Sequence, residues 1–560
     1  VTDATPFLSL QSPRRPDPML ARLTGPQMAR MEKHGHLRDV AHGEVIVEPG
    51  KIGQPMFVVV SGTLEIIQTS DRGETLIGEY GPGMFTGEST MLSGRPGLAL
   101  IRVAEPGRVI EVPRESLLVI AQTDSELSEI ILRAFILRRG GLIDHHLGDV
   151  MVLGSTHSAA TLRIREFLTR NGHPHTYVDL DFDTAAQEML DRFQVTADDV
   201  PVVIKRGAPV LRSPSNEEVA DLLSFNEAID RTQVRDLVVI GAGPAGLAAA
   251  VYGASEGLDV LVVEQNAPGG QAGSSSRIEN YLGFPTGVTG LELAARAYTQ
   301  AQKFGAQVLI ARGAHRLACE RTPYGIEFAD GSIVAARSVI IATGAEYRRL
   351  SIENVDKFDG AGIYYAATFT ESQLCREDEV IIVGGANSAG QAAVFLAQSA
   401  KRVHVLVRGP SLSATMSRYL IRRIEETPEI EVHTGTEIVN LYGDDHLERV
   451  TWRDKATGKE EQREIRHIFS MTGALPCTAW LNNCVAMDEK GFIKTGPDLT
   501  IGDTGVVKRW PLARPPFLLE TSLPGVFAVG DVRSGSMKRV ASAVGEGSIA
   551  ISFVHRVFNA

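Results

Sequence analysis

The sequence predicts a multidomain chain in which a β-roll and a small α/β unit precede two dinucleotide-binding α/β domains. Three observations predict it. The chain has 560 residues, more than the ~250–300 that a single core sustains. A short apolar strand, a GxGxxG turn and an alanine-rich helix follow one another over Asp236–Ala250, and a related pattern recurs over Glu379–Gln391. Upstream of both, β-branched runs broken by turn residues begin near Met19 and give way to a helical pattern that ends near His146.

Composition bounds the function. With 43% hydrophobic and 22% charged residues the chain is an ordinary globular one. Its formal charge of −12 argues against broad binding to nucleic acid or to an anionic membrane. No run reaches the ~18 apolar residues of a membrane span, and the polar start Val1–Pro18 is unlike a signal peptide. A cytoplasmic location is therefore expected. The four cysteines, Cys319, Cys375, Cys477 and Cys484, include no CxxC pair. Packed thiols are expected rather than a disulfide framework or a metal site.

In chain order, Gly43–Gly50, Met56–Ile67 and Arg108–Val112 read as strands, and Arg114–Arg139 has helical spacing. With the Val-Val-Ser-Gly62 turn and Gly81-Pro-Gly-Met-Phe-Thr-Gly87-Glu88, residues 1–147 resemble the cyclic-nucleotide-binding domain of catabolite activators and protein-kinase regulatory subunits. The resemblance implies that the amides after Gly87 hold a cyclic phosphate and that Glu88 takes the ribose hydroxyl. An arginine after the proline neutralises the phosphate in that family, and Gly97 stands in its place. A lost charge-assisted bond costs ~1.5–3 kcal/mol. Arg95 and Arg102 are the candidates to replace it. A scaffold or dimerising module without tight cyclic-nucleotide binding is expected, with binding as the alternative.

Residues 148–230 read as strand Val150–Leu153, helix Thr161–Thr169, strand Thr176–Leu180, helix Thr184–Phe193 and strand Asp199–Ile204. This is similar to glutaredoxin and thioredoxin folds, with Pro201 at the position of their cis proline. Ser155-Thr-His157-Ser158 occupies the CxxC position, and hydroxyls cannot perform thiol exchange. A docking or packing element is expected.

In the first dinucleotide turn, Gly241 permits the tight bend, Gly243 lets the backbone approach a pyrophosphate, and Gly246 lets helix and strand pack closely. Pro244 and Ala245 open the helix, whose N-terminal amides favour phosphate. Glu264, ending the next strand, can bind a ribose diol. Pro268-Gly-Gly270-Gln271, Ile278-Glu-Asn280, Val339-Ile-Ile-Ala-Thr343-Gly344, Val529-Gly530-Asp531 and Lys538-Arg539-Val540 follow at the spacing of low-molecular-weight thioredoxin reductases. The resemblance covers nearly all of residues 235–560. It implies FAD held by residues 231–350 and 479–560, with Asp531 on the ribityl chain and the helix after Arg539 facing the flavin pyrimidine. That helix's positive end would stabilise negative charge there.

Residues 351–478 then form the Rossmann-like NAD(P)H domain of this thioredoxin-reductase type. Gly384, Asn387, Ser388 and Ala389 make its turn, and Ala386 replaces the middle glycine. Arg408 ends the next strand where an acid would suit NADH, so a 2′-phosphate and NADPH are expected. The family's redox CxxC corresponds to Ala366-Ala-Thr-Phe369, with both sulfurs replaced, and Cys375 lacks a partner. The resemblance thus implies a flavoprotein passing a hydride from NADPH to FAD and on to an external acceptor, without an internal redox disulfide. Ferredoxin, a quinone or a disulfide protein could take the electrons, and a homodimer is expected. A reductase acting through a partner's thiols and a redox sensor with little turnover remain alternatives.

Overall fold

The computed structural model describes residues 18–559 other than 71–72, 89, 145–149, 157, 182–198, 206, 276, 366, 368, 445, 500–509 and 511. Its contacts divide the chain after Leu147 into two units.

The first unit opens with α1 (Gly25–Glu32), started by a Thr24–Gln27 capping box. Strands β1 (His36–Val40), β2 (Val45–Val47), β3 (Met56–Ser70), β4 (Gly73–Tyr80) and, after the short α2 (Thr90–Ser93), β5 (Leu100–Val112) pair antiparallel in the order β1-β5-β3-β4, with β2 on β5. Both faces of the sheet are covered. Met56 and Val58 of β3 join one core with Phe85 and Phe135, while Phe57 and Val59 join another with Val109, as alternation along a strand requires. The stretch with helical spacing over 114–139 is helical, and it forms two helices, α3 (Arg114–Thr123) and α4 (Ser125–Asp144). Asp124 leaves helical geometry at φ −115°, and its carboxylate accepts the Leu127 amide at 3.0 Å, capping α4.

The second unit starts with β6 (Val150–Gly154), α5 (Ala159–Arg170), β7 (His175–Asp179), β8 (Val202–Lys205), β9 (Leu211–Arg212) and α6 (Asn216–Leu222). The sheet order is β7-β6-β8-β9, with β6 parallel to β7 and antiparallel to β8, and the Val200–Pro201 peptide is cis. The helix expected over Thr184–Phe193 lies outside the described residues. Ile164, Phe167 and Leu168 of α5 share a core with Ile310 and Ala311 of the following domain. Arg312 adds ion pairs to Glu217 and, at 3.0 Å, to Asp221.

That domain comprises β10 (Val234–Ile240), α7 (Pro244–Ser255), β11 (Val260–Val263), α8 (Gly270–Gly273), α9 (Gly290–Lys303), β12 (Gln307–Leu309), β13 (Ala314–Ala318), β14 (Tyr324–Phe328) and β15 (Ile333–Ile341). β12-β11-β10-β15 run parallel, and β14 and β13 extend the sheet antiparallel. β16 (Ala345–Tyr347) leads out to β17 (Ile363–Tyr364), α10 (Phe369–Leu374), β18 (Glu379–Val383), α11 (Asn387–Leu396), β19 (Arg402–Val407), α12 (Arg418–Glu425) and β20 (Ile430–Thr434). A three-stranded layer, β21 (Thr436–Tyr442), β22 (Arg449–Asp454) and β23 (Glu460–Arg463), precedes β24 (His467–Ser470), which completes a parallel sheet β17-β24-β18-β19-β20. β25 (Ala474–Pro476) returns antiparallel to β16, so one two-stranded ribbon carries both crossings between the domains. β26 (Val526–Ala528) then joins β15, and α13 (Val540–Phe558) packs on α7.

The expectation of packed thiols is corrected at two positions: Cys319 and Cys484 form a disulfide across 165 residues. Both flank a core of Leu317, Leu481 and Val485, where the antiparallel layer meets the segment after β25. A contact that distant leaves no mark in local cysteine spacing.

Candidate functional site

β10 delivers the chain to Gly241 at φ +104°, where a side chain would strike the Ala342 carbonyl. A Cβ on Gly246 would collide with the Gly241 carbonyl, so these two glycines answer to packing within the protein. Gly243 differs. It is extended, at φ −69° and ψ −179°, and an added Cβ would meet nothing nearer than Gly270 Cα at 3.9 Å. The open space lies at the start of α7, where Pro244 takes the first helical position and the free amides of the first turn face outward. That cradle fits a pyrophosphate.

Gly270, at φ +53°, brings a second loop against the first, its Cβ position only 3.0 Å from Gly243 Cα. Arg170, the last residue of α5, holds that loop: Nη2 donates to the Gly270 carbonyl at 2.8 Å and to Ala267 at 3.4 Å. Glu264 is buried. Its oxygens accept the Ala242 amide at 2.7 Å and the Asn266 amide at 2.8 Å, and the Ala267 amide adds a third bond, which fixes the carboxylate at the end of β11. Burial pushes its carboxyl upward, against those amides and the Arg170 charge.

The second segment closes the site. Gly530, at φ +72°, has its Cβ position 3.0 Å from the buried Ala245 Cβ. Its amide donates to Glu546 at 2.7 Å, and Arg533 binds the other Glu546 oxygen at 2.6 Å. Burial raises the Asp531 carboxyl while Lys538 opposes the shift. Arg539 is the exposed N-cap of α13, which starts at Val540, and a Cβ on Gly547 would strike the Ala245 carbonyl. Thr343 donates to the Cys477 carbonyl at 2.8 Å, and Gly344, at φ +69°, is open on its Cβ side. Asn280 is exposed, just beyond the Ile278–Val288 bridge.

The other turn is built alike. Gly384, at φ +149°, has its Cβ position 2.6 Å from the Met471 carbonyl and 3.2 Å from Ala389 Cβ. Ala386 is an extended N-cap at φ −104°, a conformation any residue adopts. Asn387 accepts the Ser417 amide at 2.8 Å and its hydroxyl at 2.7 Å, fixing the start of α12 over the turn. Ser388 hydrogen-bonds Tyr347. Arg408 is exposed directly after β19. Between the turns lies a cleft of about 320 Å³, lined among others by Gln271, Tyr347, Ala367, Ser388 and Met471. It unites a residue expected at the flavin with one expected at NADPH. Ala366 and the side chain of Phe369 lie outside the described residues, but Ala367 between them is buried at this cleft. Burial pushes the thiols of both free cysteines, Cys375 and Cys477, up to about 12, which keeps them protonated and poorly nucleophilic.

In the first unit, Gly87 is at φ +105°, and the buried Glu88 lies 3.4 Å from the equally buried Arg139. Arg102 is committed to Glu65 and Glu74 at 3.2 and 2.9 Å, while Arg95 is buried. At the start of α5, Ser155 donates to Asp181 at 2.7 Å, and Thr156 is bonded to Asp179 and to Tyr177. His157 lies outside the described residues. Arg170 and Tyr347 were not signalled by any motif and come from elements outside both glycine turns.

The chain belongs to the pyridine nucleotide-disulphide oxidoreductases, whose family profile matches residues 235–547. Within that class it is a thioredoxin-reductase-like, NAD(P)H-dependent flavin oxidoreductase, fused to a cyclic nucleotide-binding domain matched over residues 37–124. It is 33% identical to the thioredoxin reductase of Ureaplasma parvum over 319 residues, 57% of this chain and 95% of that protein. With that of Bacillus subtilis it shares 30% over 323 residues, 58% and 94% of the two chains. Crystal structures of the Lactococcus lactis and T. acidophilum thioredoxin reductases superpose with TM-scores of 0.52 each, at 26% and 28% identity. They cover 58% and 59% of this chain and 100% of their own. FAD and NADPH are the cofactors of this family, and the open cradle at Gly243 with the Glu264 carboxylate held at the end of the next strand fits FAD. Among the described residues no helix is long and apolar enough to cross a membrane.

Proposed function

We propose that this chain oxidises NADPH at its bound FAD and passes the electrons to an acceptor outside the chain, with no redox disulfide of its own beside the flavin. The observation that carries the reading is the cleft between the two turns, lined by Ala367 in the segment that the resemblance aligns with the family's redox motif, while burial keeps both free thiols, Cys375 and Cys477, protonated. Bound FAD supplies two-electron acceptance from the nicotinamide and release to the next carrier. The chain supplies position and charge. The amides opening α7 hold the pyrophosphate beside Gly243, Glu264 takes the ribose diol, and Asp531 accepts from the ribityl hydroxyls. The start of α13 directs its positive end at the flavin ring. Asn387 and Ser388 at the head of α11 seat the second nucleotide, and Arg408 faces its 2′-phosphate.

The acceptor is ferredoxin, a quinone or a disulfide protein. The thioredoxin reductases among the relatives favour the last as a second reading. Mixing the enzyme with NADPH in a stopped-flow instrument should bleach the flavin absorbance within turnover times. Negligible bleaching would instead mark a binding protein. Presenting the reduced enzyme with each acceptor class then separates the readings by rate. A homodimer belongs to the same proposal and is read by light scattering.

Arg408→Ala should raise the KM for NADPH about 10-fold or more, the worth of a charged hydrogen bond, while leaving that for NADH unchanged. Equal effects on both nucleotides would remove Arg408 from the phosphate site. The β7-β6-β8-β9 sheet order, with β6 parallel to β7 and antiparallel to β8, supports reading residues 148–230 as a thioredoxin-like module. With no cysteine in this segment and the hydroxyls of Ser155 and Thr156 bonded to Asp181 and Asp179, the module reads as a docking element without thiol chemistry. For the first unit, the Glu88–Arg139 pair and the committed Arg102 support a nucleotide-like domain without tight binding. Calorimetry with cyclic AMP and cyclic GMP should detect no micromolar binding, and heat at micromolar concentrations would reverse the reading.

A further inference from the structure

The NAD(P)H-side sheet carries a cluster that the cofactors do not use. His404 of β19 stands opposite Glu431 of β20, and Leu406 opposite His433, so Glu431 and His433 share a face of the edge strand. Val403, Val405 and Val407 point to the core shared with α11 and α12, whereas Leu406 points to the three-stranded layer and Trp452. By alternation His404 joins the second face, and its ring and that of His433 each lie 5.4 Å from Trp452. His404 Nδ1 is 3.1 Å from His433 Nε2 and 3.7 Å from a Glu431 oxygen. His433 Nε2 is 3.7 Å from the other Glu431 oxygen.

We propose that His404, His433 and Glu431 form a binding site for one divalent transition-metal ion of the zinc class. A tetrahedral ion with bonds of ~2.0–2.1 Å keeps its donors about 3.3–3.4 Å apart; the two imidazole nitrogens stand 3.1 Å apart, and each lies 3.7 Å from a different Glu431 oxygen, so a small turn of the half-exposed carboxylate presents one oxygen to both. The ring orientation agrees. His404 Nε2 lies 3.3 Å from Glu379, and by donating its N–H there the ring turns the Nδ1 lone pair toward His433. A ligating imidazole ordinarily gives its second N–H to a carboxylate in this way. Two imidazoles and one carboxylate select zinc-class ions over calcium or magnesium, which take oxygen ligands.

Access and strength follow from the surroundings. His404 is 1% exposed, but the Glu431 side chain is 48% exposed, which leaves an entry and a fourth position for water. Arg402 lies 3.3 Å from Glu431, and Lys401 lies 3.8 Å from Glu379. These cations oppose the ion's charge and weaken its binding. An ion here ties the edge strand β20 to β19 just upstream of Arg408.

The test is calorimetric titration of the full-length, flavin-loaded chain with zinc chloride, beside His433→Ala and Glu431→Gln. One ion per chain is expected, with affinity reduced by on the order of 10-fold or more in each variant. Circular dichroism and flavin content confirm that the variants fold, and Glu431→Gln, a half-exposed position, remains informative if His433→Ala does not. Absence of binding would overturn the proposal and leave the two histidines joined by a simple hydrogen bond. Zinc affinity unchanged in Glu431→Gln and His433→Ala would overturn it equally, by placing the ion elsewhere.

Discussion

Gly243→Val should yield a folded chain that purifies without colour. Gly243 is extended and an added Cβ meets nothing nearer than Gly270 Cα at 3.9 Å, so the stem of a valine side chain is accommodated without a backbone clash. The side chain instead fills the cradle at the head of α7. Overpacking of this kind costs about 1–3 kcal/mol or more, and the displaced pyrophosphate also loses the helix amides. Flavin affinity should fall by on the order of 100-fold, read from flavin content after gel filtration, with an unchanged thermal melt of the apoprotein. Gly246→Ala makes the contrast. Its methyl collides with the Gly241 carbonyl, so the melt itself should fall. A yellow Gly243→Val protein at one flavin per chain would mean that the phosphates lie elsewhere.

Arg170→Ala should loosen the flavin by about 10- to 100-fold although the residue belongs to the middle module. Its guanidinium binds the Gly270 carbonyl at 2.8 Å, and Gly270 closes on Gly243. It also opposes the burial that raises the Glu264 carboxyl. Hydrogen bonds to charged groups contribute about 1.5–3 kcal/mol, and alanine removes both the bond and the charge. Arg170→Lys keeps the charge but not the fork, so an intermediate affinity is expected. Fluorescence titration of the apoprotein with FAD gives the constants. At saturating FAD the NADPH-dependent rate should recover, because Arg170 positions a loop and touches no reacting atom. A wild-type FAD affinity in Arg170→Ala would detach the middle module from the cofactor site.

These two residues mark what the sequence could and could not reveal. The three glycines of the first turn were legible because each meets a demand local to a strand, turn and helix. The structure separates those demands, assigning Gly241 and Gly246 to packing and Gly243 to the open cradle. Among the described residues much of the order of strands and helices was legible by the same local periodicity, which does not resolve the break at Asp124 within a helical stretch. Arg170 was not legible, since it reaches the loop across 100 residues from a different module. The Cys319–Cys484 bond was hidden for the same reason. His404 and His433 are separated by a helix in the chain and meet only because parallel strands place them in register. Tyr347 sits on the interdomain ribbon, whose pairing with β25 no motif announces.

The central claim is that reducing equivalents leave from the flavin with no cysteine relay beside it. An anaerobic titration of the purified enzyme with dithionite, followed by flavin absorbance and thiol release, counts the electrons stored per chain. Two electrons per FAD, with no thiols formed as the flavin bleaches, is the predicted result. Uptake of four, with two thiols appearing in step with the flavin, would contradict it and assign the chain a redox-active disulfide.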